Sequence, residues 1–332
     1  MSDRIADETE LIQTYLAPLT RGATGALDLS DDAAFLTPAP GMDLVISTDP
    51  ILAGVHFFAD DSADDIAWKA LAVNVSDLVA KGATPVAYTM TLAFPDAPER
   101  AWMERFASGL AAAQLAFGCH LIGGDTDRTS GPLAIGITAI GQVPNGKMVL
   151  RRGARAGDHV FVTGTVGDAA LGLKLRRSGS VFGAVVTDDA KAWLIDRYLR
   201  PQPRVSFASI LLRHATAALD ISDGFMKDMT RLAGTYGLTV AFADLPLSPA
   251  VRQVIASYNG ERASLLTGGD DYEILFSVSP TSRAAMIAEA AQGALNVTEL
   301  GVLRVDGEIL VKDHAGVVIA VTQSGYDHFK SS

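Results

Sequence analysis

The sequence predicts a mixed α/β (α+β) protein of two domains, and three observations carry that prediction. Strand-like and helix-like segments alternate over most of the chain, the pattern of folds that pack helices on sheets. The 332 residues exceed what a single hydrophobic core usually holds. A stretch rich in turn residues and arginine, Pro144-Asn-Gly-Lys-Met-Val-Leu-Arg-Arg-Gly-Ala-Arg-Ala-Gly-Asp158, interrupts the pattern and marks the boundary, giving domains 1–149 and 150–332.

In the first half, Asp43-Leu-Val-Ile-Ser-Thr-Asp49 reads as a strand ending in polar residues. Ser62 suits a helix N-cap, with Asp65 in the capping-box position. That helix runs through Trp68 to Ala80 and stops at Gly82. A second helix covers about Pro98 to Phe117. The strand Cys119-His-Leu-Ile122 runs into Gly123-Gly124-Asp125, and another strand covers Leu133 to Val143. In the second half His159-Val-Phe-Val-Thr163 is a strand, followed by helices near 167–177, 188–199 and 203–217. Strands are expected at Ala217–Ile221, Leu238–Phe242 and Tyr272–Val278, with a helix after Asp223. The C-terminal region adds strands near 297–304, 308–312 and 316–321.

Hydrophobic residues make up 48% of the chain and charged residues 20%, which excludes disorder, collagen and a disulfide scaffold. With 27 basic and 38 acidic residues the net charge is −11. That balance argues against a general nucleic-acid binder, which needs a basic footprint. It leaves room for polyanionic ligands held through divalent cations. The single cysteine, Cys119, lies in the apolar stretch Phe117-Gly-Cys-His-Leu-Ile122 and reads as a buried structural thiol in a reducing cytoplasmic setting. The N-terminus lacks an apolar signal core, and no run of about 18 apolar residues predicts a membrane span.

Surface acids usually line the polar faces of helices, but here several sit where strands are expected to end. The clusters are Asp28-Leu-Ser-Asp-Asp32, Ser47-Thr-Asp49, Asn74-Val-Ser-Asp77, Gly123-Gly-Asp125, Asp220-Ile-Ser-Asp-Gly224 and Gly268-Gly-Asp-Asp-Tyr-Glu273. Asp49 and Asp125 are expected to project from the carboxyl edge of a sheet, where ligands of open α/β sheets bind. The two glycines before Asp125 permit close backbone approach to a ligand. Asn74 and Lys81 share the helical face of Asp77. Oxygen ligands spread over several loops suit a hard cation such as Mg²⁺, whereas the six histidines and one cysteine show no zinc spacing. A P-loop and the protein-kinase signatures are absent. Thr163-Gly-Thr-Val-Gly167 misses the dinucleotide spacing and reads as a tight strand-to-helix connection.

Taken in order, Ser47-Thr-Asp49, Asn74-Val-Ser-Asp77, Ile122-Gly-Gly-Asp-Thr126, Asp220-Ile-Ser-Asp-Gly224 and Gly268-Gly-Asp-Asp-Tyr-Glu273 resemble the signature of the thiamine-monophosphate kinase family. That family is related to aminoimidazole ribonucleotide and selenophosphate synthetases. The resemblance runs from Asp31-Asp32 to Gly325-Tyr-Asp-His-Phe329. Gly54-Val-His56 resembles the kinase's Ala-Gly-x-His segment, and no cysteine precedes Cys119, unlike the selenophosphate branch.

The resemblance implies two α/β domains, the first contributing strands to a β-barrel at a homodimer interface. It implies transfer of the ATP γ-phosphoryl group to thiamine monophosphate, with several Mg²⁺ ions and no general base, because the acceptor is already an anionic phosphate oxygen. Asp32, Ser47, Thr48, Asp49, Asp77, Asp125, Asp220 and Asp223 resemble metal ligands. Gly124, Asp125, Ser222 and Arg151 resemble nucleotide contacts, with Arg152 and Arg155 as alternatives for the basic position. His56, Asp270 and Tyr326 match substrate positions. Asp49, Asp125, Asp223 and Arg151 would bear most directly on transfer. Three departures stand out: Ser30 replaces a usual glycine, Asp270 stands where Glu is common, and Phe225 stands where Leu is common. A sibling ATP-dependent synthetase, or a non-catalytic Mg-nucleotide binding protein, shares the same ATP-side motifs.

Overall fold

The computed structural model describes residues 3–180, 186–305, 307–321 and 325–326. They form two compact units, residues 1–79 with 83–148, and residues 80–82 with 149–332.

The first unit opens with a short helix α1 (Glu8–Leu11) capped by Asp7, then tight helical turns. Next come β1 (Met42–Leu52), α2 (Ala63–Ala80), β2 (Thr84–Phe94), α3 (Arg100–Phe117), β3 (His120–Arg128) and β4 (Ala134–Pro144). The strands form one sheet in the order β1-β4-β2-β3, antiparallel except for the β2–β3 pair. The expected helix start is present: Ser62 Oγ donates to Asp65 Oδ2 at 2.6 Å. Helix α2 is apolar nearly all round because it is buried nearly all round, with Ala67, Leu71 and Leu78 at 0% exposure. Helix α3 ends on left-handed Gly118 and packs by aromatic contacts, Trp102 on Phe94 of β2 and Phe117 on Trp68 of α2. The two helices meet where Gly109 removes a side chain, since a Cβ there would stand 2.4 Å from the Asp64 carbonyl oxygen.

The sequence reading placed no strand at β2, which lies inside the sheet. Pro85 lacks an N–H and disguises the segment, and a register shift between Pro85 and Ala87 absorbs it. β1 and β3 also run further than expected, so Asp49 and Asp125 lie within strands. The carboxyl-edge argument therefore does not hold for either residue.

The second unit contains β5 (His159–Thr163), α4 (Asp168–Ser178), α5 (Asp188–Leu199), α6 (Ala208–His214), β6 (Ala215–Asp220) and α7 (Phe225–Ala233). It continues with β7 (Leu238–Ala241), α8 (Pro249–Ser257), α9 (Arg262–Thr267), β8 (Ile274–Val278), α10 (Arg283–Gln292), β9 (Val297–Val302) and β10 (Ile309–Lys312). Its main sheet, β6-β8-β5-β9, is antiparallel throughout, and β7 and β10 form a parallel pair. β8 is buried at every position, so both faces of the sheet are covered. On one side Val160 and Val162 join Leu171, Leu194, Phe225 and Val251 in a single core. Phe161 and Phe276 stack at 5.5 Å, with Phe207 against Phe276. Truncating a buried ring such as Phe276 to alanine costs about 3–5 kcal/mol.

Three expectations are corrected here. Residues 316–321 form no strand and make only a bridge between Lys312 and Val318. The helix expected over 203–217 shortens to Ala208–His214, because Pro201 and Pro203 hold its approach extended and β6 begins at Ala215. Helices α8, α9 and α10 were not anticipated; α8 starts at a Ser248 N-cap followed by Pro249.

Candidate functional site

In the first unit, β1 is an edge strand bonded to β4 alone, and helix α2 covers its other edge with two polar side chains one turn apart. Asn74 Oδ1 accepts the Asp49 amide at 2.8 Å, and its Nδ2 donates to the Asp49 carbonyl at 3.2 Å. Ser47 Oγ donates to Asp77 Oδ2 at 2.5 Å. Asn74 is fully buried, so its amide replaces the missing neighbour strand and fixes Asp49 in place. Lys81, expected on the same polar face, belongs to the second unit and donates there to the Ala218 carbonyl at 2.6 Å.

The alternation of β1 separates the remaining residues. Ser47 and Asp49 lie in register with Ala139 and Ile137, which are buried, whereas Thr48 pairs with Thr138 and the two hydroxyls meet at 3.0 Å. The Thr48 side chain thus lies on the face opposite Ser47 and Asp49. Asp125 stands on β3, beside Thr91 of β2, at the far edge of the sheet. Three strand spacings, about 14 Å, lie between these edges. Asp32 belongs to the loop before β1 and is exposed. Ala34 of that loop lies 3.9 Å from where a Cβ on Gly123 would be, so the loop approaches the Asp125 side. A cleft of about 560 Å³ opens alongside, lined by Glu8, Phe94, Asp96, Thr126 and Arg128.

Two glycine expectations change. A Cβ on Gly124 would stand 1.9 Å from the Met90 carbonyl oxygen, so β2 packing already demands glycine there. Ser30 adopts φ −105°, with no positive-φ strain, and its hydroxyl donates to the Leu27 carbonyl at 2.6 Å. The strain sits just before it, at Leu27, Asp28 and Leu29, with φ of 50°, 54° and 53°.

After β1 the chain turns at Gly54. His56 Nδ1 accepts the Leu52 amide at 3.0 Å, which places the proton of the neutral ring on Nε2.

In the second unit the two Asp-rich turns interlock. The Asp270 amide donates to Ser222 O at 3.0 Å, and the Tyr272 amide to Ile221 O at 2.9 Å. A Cβ on Gly269 would stand 2.1 Å from Ser222 O. Asp270 and Tyr272 have φ of 71° and 49°, a strained conformation held by this interlock. Asp220 ends β6 and is buried. Arg151 is exposed but anchored near it, since Leu150 O accepts the Ala218 amide at 3.1 Å. Tyr326 is 43% exposed, and its amide donates to Asp223 O at 2.9 Å. The rest of the closing motif, Asp327-His-Phe329, lies outside the described residues. Serine 222, Asp223, Asp270 and Tyr326 are thus brought together.

Sequence reasoning missed what supports Asp223. Asp228 is buried and accepts the Asp223 and Gly224 amides at 3.0 and 3.1 Å. Burial pushes its carboxyl up, opposed by the Asp223 amide and Arg231. Arg231 bridges Asp223 at 2.7 Å and Asp228 at 2.8 Å, and Lys227 reaches Asp223 at 2.9 Å. An acid four residues after Asp-Gly, at a helix start, was the available signal. Phe225 is fully buried, so its ring serves the core.

The carboxylates next to Asp270 have structural partners. Glu273 takes both Arg204 and the Thr163 hydroxyl. Gly164 must be glycine because a Cβ would meet the Glu273 carboxylate. Asp271 accepts the Gly167 amide at 2.7 Å, and Gly167 itself has φ of 86°, a conformation that favours glycine in that turn. Burial pushes Asp271 well above the usual carboxylate range, the Gly167 amide opposes this, and the Asp168 charge adds to it. Among the described residues, no three His, Cys, Asp or Glu side chains gather to hold a metal ion by themselves. The Ser47–Asp77 pair and Asp223 still offer the all-oxygen donors that Mg²⁺ prefers, and Mg²⁺ usually takes one or two carboxylates, completing its shell with water and phosphate.

Residues 30–143 match the family of AIR synthase related proteins, N-terminal domain. The chain is 41% identical over 326 residues to a thiamine-monophosphate kinase of Caulobacter vibrioides, covering 97% of this chain and 90% of the relative. The chain belongs to the thiamine-monophosphate kinase family. Among solved structures it superposes on a thiamine-monophosphate kinase from Stenotrophomonas maltophilia with a TM-score of 0.80 and 37% identity, over 89% of this chain and 96% of that one. It also superposes on AaThiL complexed with AMPPCP and TMP with a TM-score of 0.75 and 30% identity, over 88% and 89%. The two-turn interlock of Ser222 and Asp270 is therefore part of a thiamine-monophosphate kinase fold.

Proposed function

We infer that this chain transfers the γ-phosphoryl group of ATP to thiamine monophosphate, giving thiamine diphosphate and ADP. The observation that carries this is its 41% identity over 97% of its length to a thiamine-monophosphate kinase. The match to a structure holding AMPPCP and TMP supports the same pair of ligands.

The acceptor oxygen is anionic near neutral pH, so transfer needs positioning and charge neutralisation more than a base. On this reading Asp32, Ser47, Asp49, Asp77 and Asp125 of the first unit, and Asp220 and Asp223 of the second, hold Mg²⁺. The Thr48 hydroxyl lies on the opposite face, against Thr138, and is left out of this set. Bound Mg²⁺ supplies positive charge that lets two polyphosphate anions approach. Gly124, Ser222 and Arg151 meet the nucleotide, and the Arg151 guanidinium neutralises phosphate charge. His56 presents its Nε2 side, Asp270 its carboxylate and Tyr326 its ring to the thiamine moiety, whose thiazolium is cationic.

A cytoplasmic homodimer fits the reading. Leu44 and Ile46 expose 38% and 63% of their surface on the outer face of β1, an apolar strip suited to a second copy. Among the described residues no helix is long and apolar enough to cross a membrane.

The test is incubation of purified protein with Mg-ATP and thiamine monophosphate, separating products by chromatography. Equal amounts of thiamine diphosphate and ADP are expected. ATP binding without any thiamine diphosphate would overturn the reading in favour of a non-catalytic nucleotide binder.

A further inference from the structure

One side chain ties the Asp223 turn to the C-terminal segment. Lys227, in the first turn of α7, donates to Asp223 Oδ2 at 2.9 Å and also to the Tyr326 carbonyl oxygen. The Tyr326 amide in turn donates to the Asp223 carbonyl at 2.9 Å. The segment runs directly over the turn: a Cβ on Gly325 would stand 2.6 Å from Asp223 O and 2.8 Å from Lys227 Cβ. The Lys227 side chain is 24% exposed, so these bonds are partly sheltered from competing water.

Charge balance alone does not explain Lys227. Arg231 already bridges Asp223 and Asp228 at 2.7 and 2.8 Å. What Lys227 adds is a donor shared between a side chain of the Asp-rich turn and the main chain of residue 326. An ammonium group, with several donors on a flexible stem, suits that task.

We infer that Lys227 is a positioning residue that fixes where Tyr326 stands, and that it acts on affinity for the phosphate-acceptor substrate and not on affinity for ATP. The inference rests on reading Tyr326 as a substrate contact. Lys227 works through the backbone of residue 326 and has no part in the transfer itself. Losing a charge-assisted bond of this kind weakens the ordered position of Tyr326 by about tenfold.

The test uses the full chain carrying Lys227→Met, which keeps length without donors, and Lys227→Arg, which can bridge the same two acceptors. Lys227→Met is expected to raise KM for thiamine monophosphate about tenfold, with kcat and KM for ATP within about twofold. Lys227→Arg is expected to restore KM to within about threefold of the parent. An unchanged KM for thiamine monophosphate, or an equal rise for both substrates, would overturn the inference. Amide hydrogen exchange reads the same latch without any turnover. The Tyr326 amide should exchange at least about tenfold faster in Lys227→Met than in the parent. Equal exchange rates overturn the latch whether or not the protein is active. Faster exchange in Lys227→Met, where the parent itself forms no thiamine diphosphate, would sustain the latch and refute the proposed function alone.

Discussion

Ser47 and Asp77 meet across 2.5 Å, a strand hydroxyl donating to a helix carboxylate, and the contact joins β1 to α2. Such a bond to an ionised acceptor is among the stronger hydrogen bonds a protein makes. It also leaves the other Asp77 oxygen available to a cation. Asp77→Asn keeps the shape and removes the charge. Activity is expected to fall at least about tenfold, and half-maximal activity to need more Mg²⁺. A Mg²⁺ titration of initial rates checks both, and an unaltered midpoint would contradict the role.

Asp49 and Asp125 occupy opposite edges of the sheet and do not substitute for one another. The bonds from Asn74 run to the main chain of Asp49, so Asp49→Asn leaves them in place. Asp125→Asn still offers an oxygen to the Thr126 amide, now 2.9 Å away. Each substitution is expected to cut kcat/KM at least about tenfold with thermal unfolding nearly unchanged. Full activity in both variants would dismiss the metal-site reading.

Asp271 gives a pH-dependent stability. Burial raises its folded-state pKa above the ordinary 3.8, so the folded protein holds a proton that the unfolded chain releases. The ionised group therefore weakens the fold above its folded pKa. That penalty fades as pH falls through the folded value towards 3.8. Asp271→Asn removes the charge while its oxygen can keep the 2.7 Å bond from Gly167. Its melting temperature should exceed the parent's by a few degrees near pH 8, with the gap closing towards about pH 4. Calorimetry across that range decides it, and a gap that widens on acidification would refute the sign.

Cys119 is 1% exposed, and burial pushes its thiol up to about 12. Native protein at about pH 8 should resist iodoacetamide and react fully once unfolded in denaturant, as read by mass spectrometry. Rapid alkylation of the native protein would show the site to be open.

Much of this was legible in the sequence, for identifiable reasons. Ser62 and Asp65 announce α2 because capping is local chemistry. The motifs around Ser222 and Asp270 stand out because both are turns rich in Gly and Asp, and the interlock that joins them shows only in the structure. Periodicity was less informative for strand length. It reports which face is apolar, whereas the ladder with β4 continues past Asp49 through main-chain bonds that no side chain advertises. Pro85 concealed β2 by the same blindness to register. Gly124 read as a ligand cradle, yet the demand for glycine comes from the Met90 carbonyl across the sheet. Asn74 stood out as part of the polar face of Asp77, but its bonds to the Asp49 main chain, 25 residues away, were not legible, and Asp228 was passed over as an ordinary helix acid.

The Asp223 turn carries its own counter-ions. Asp223 and Asp228 contribute two negative charges, Lys227 and Arg231 two positive ones, and all four are linked by ion pairs or by the amides that Asp228 accepts. The group sums to neutral before any ligand arrives. On the proposed reading this part of the fold would need no metal to balance its charge, and loading with Mg²⁺ would be an exchange of partners at a finished surface instead of a step in building it.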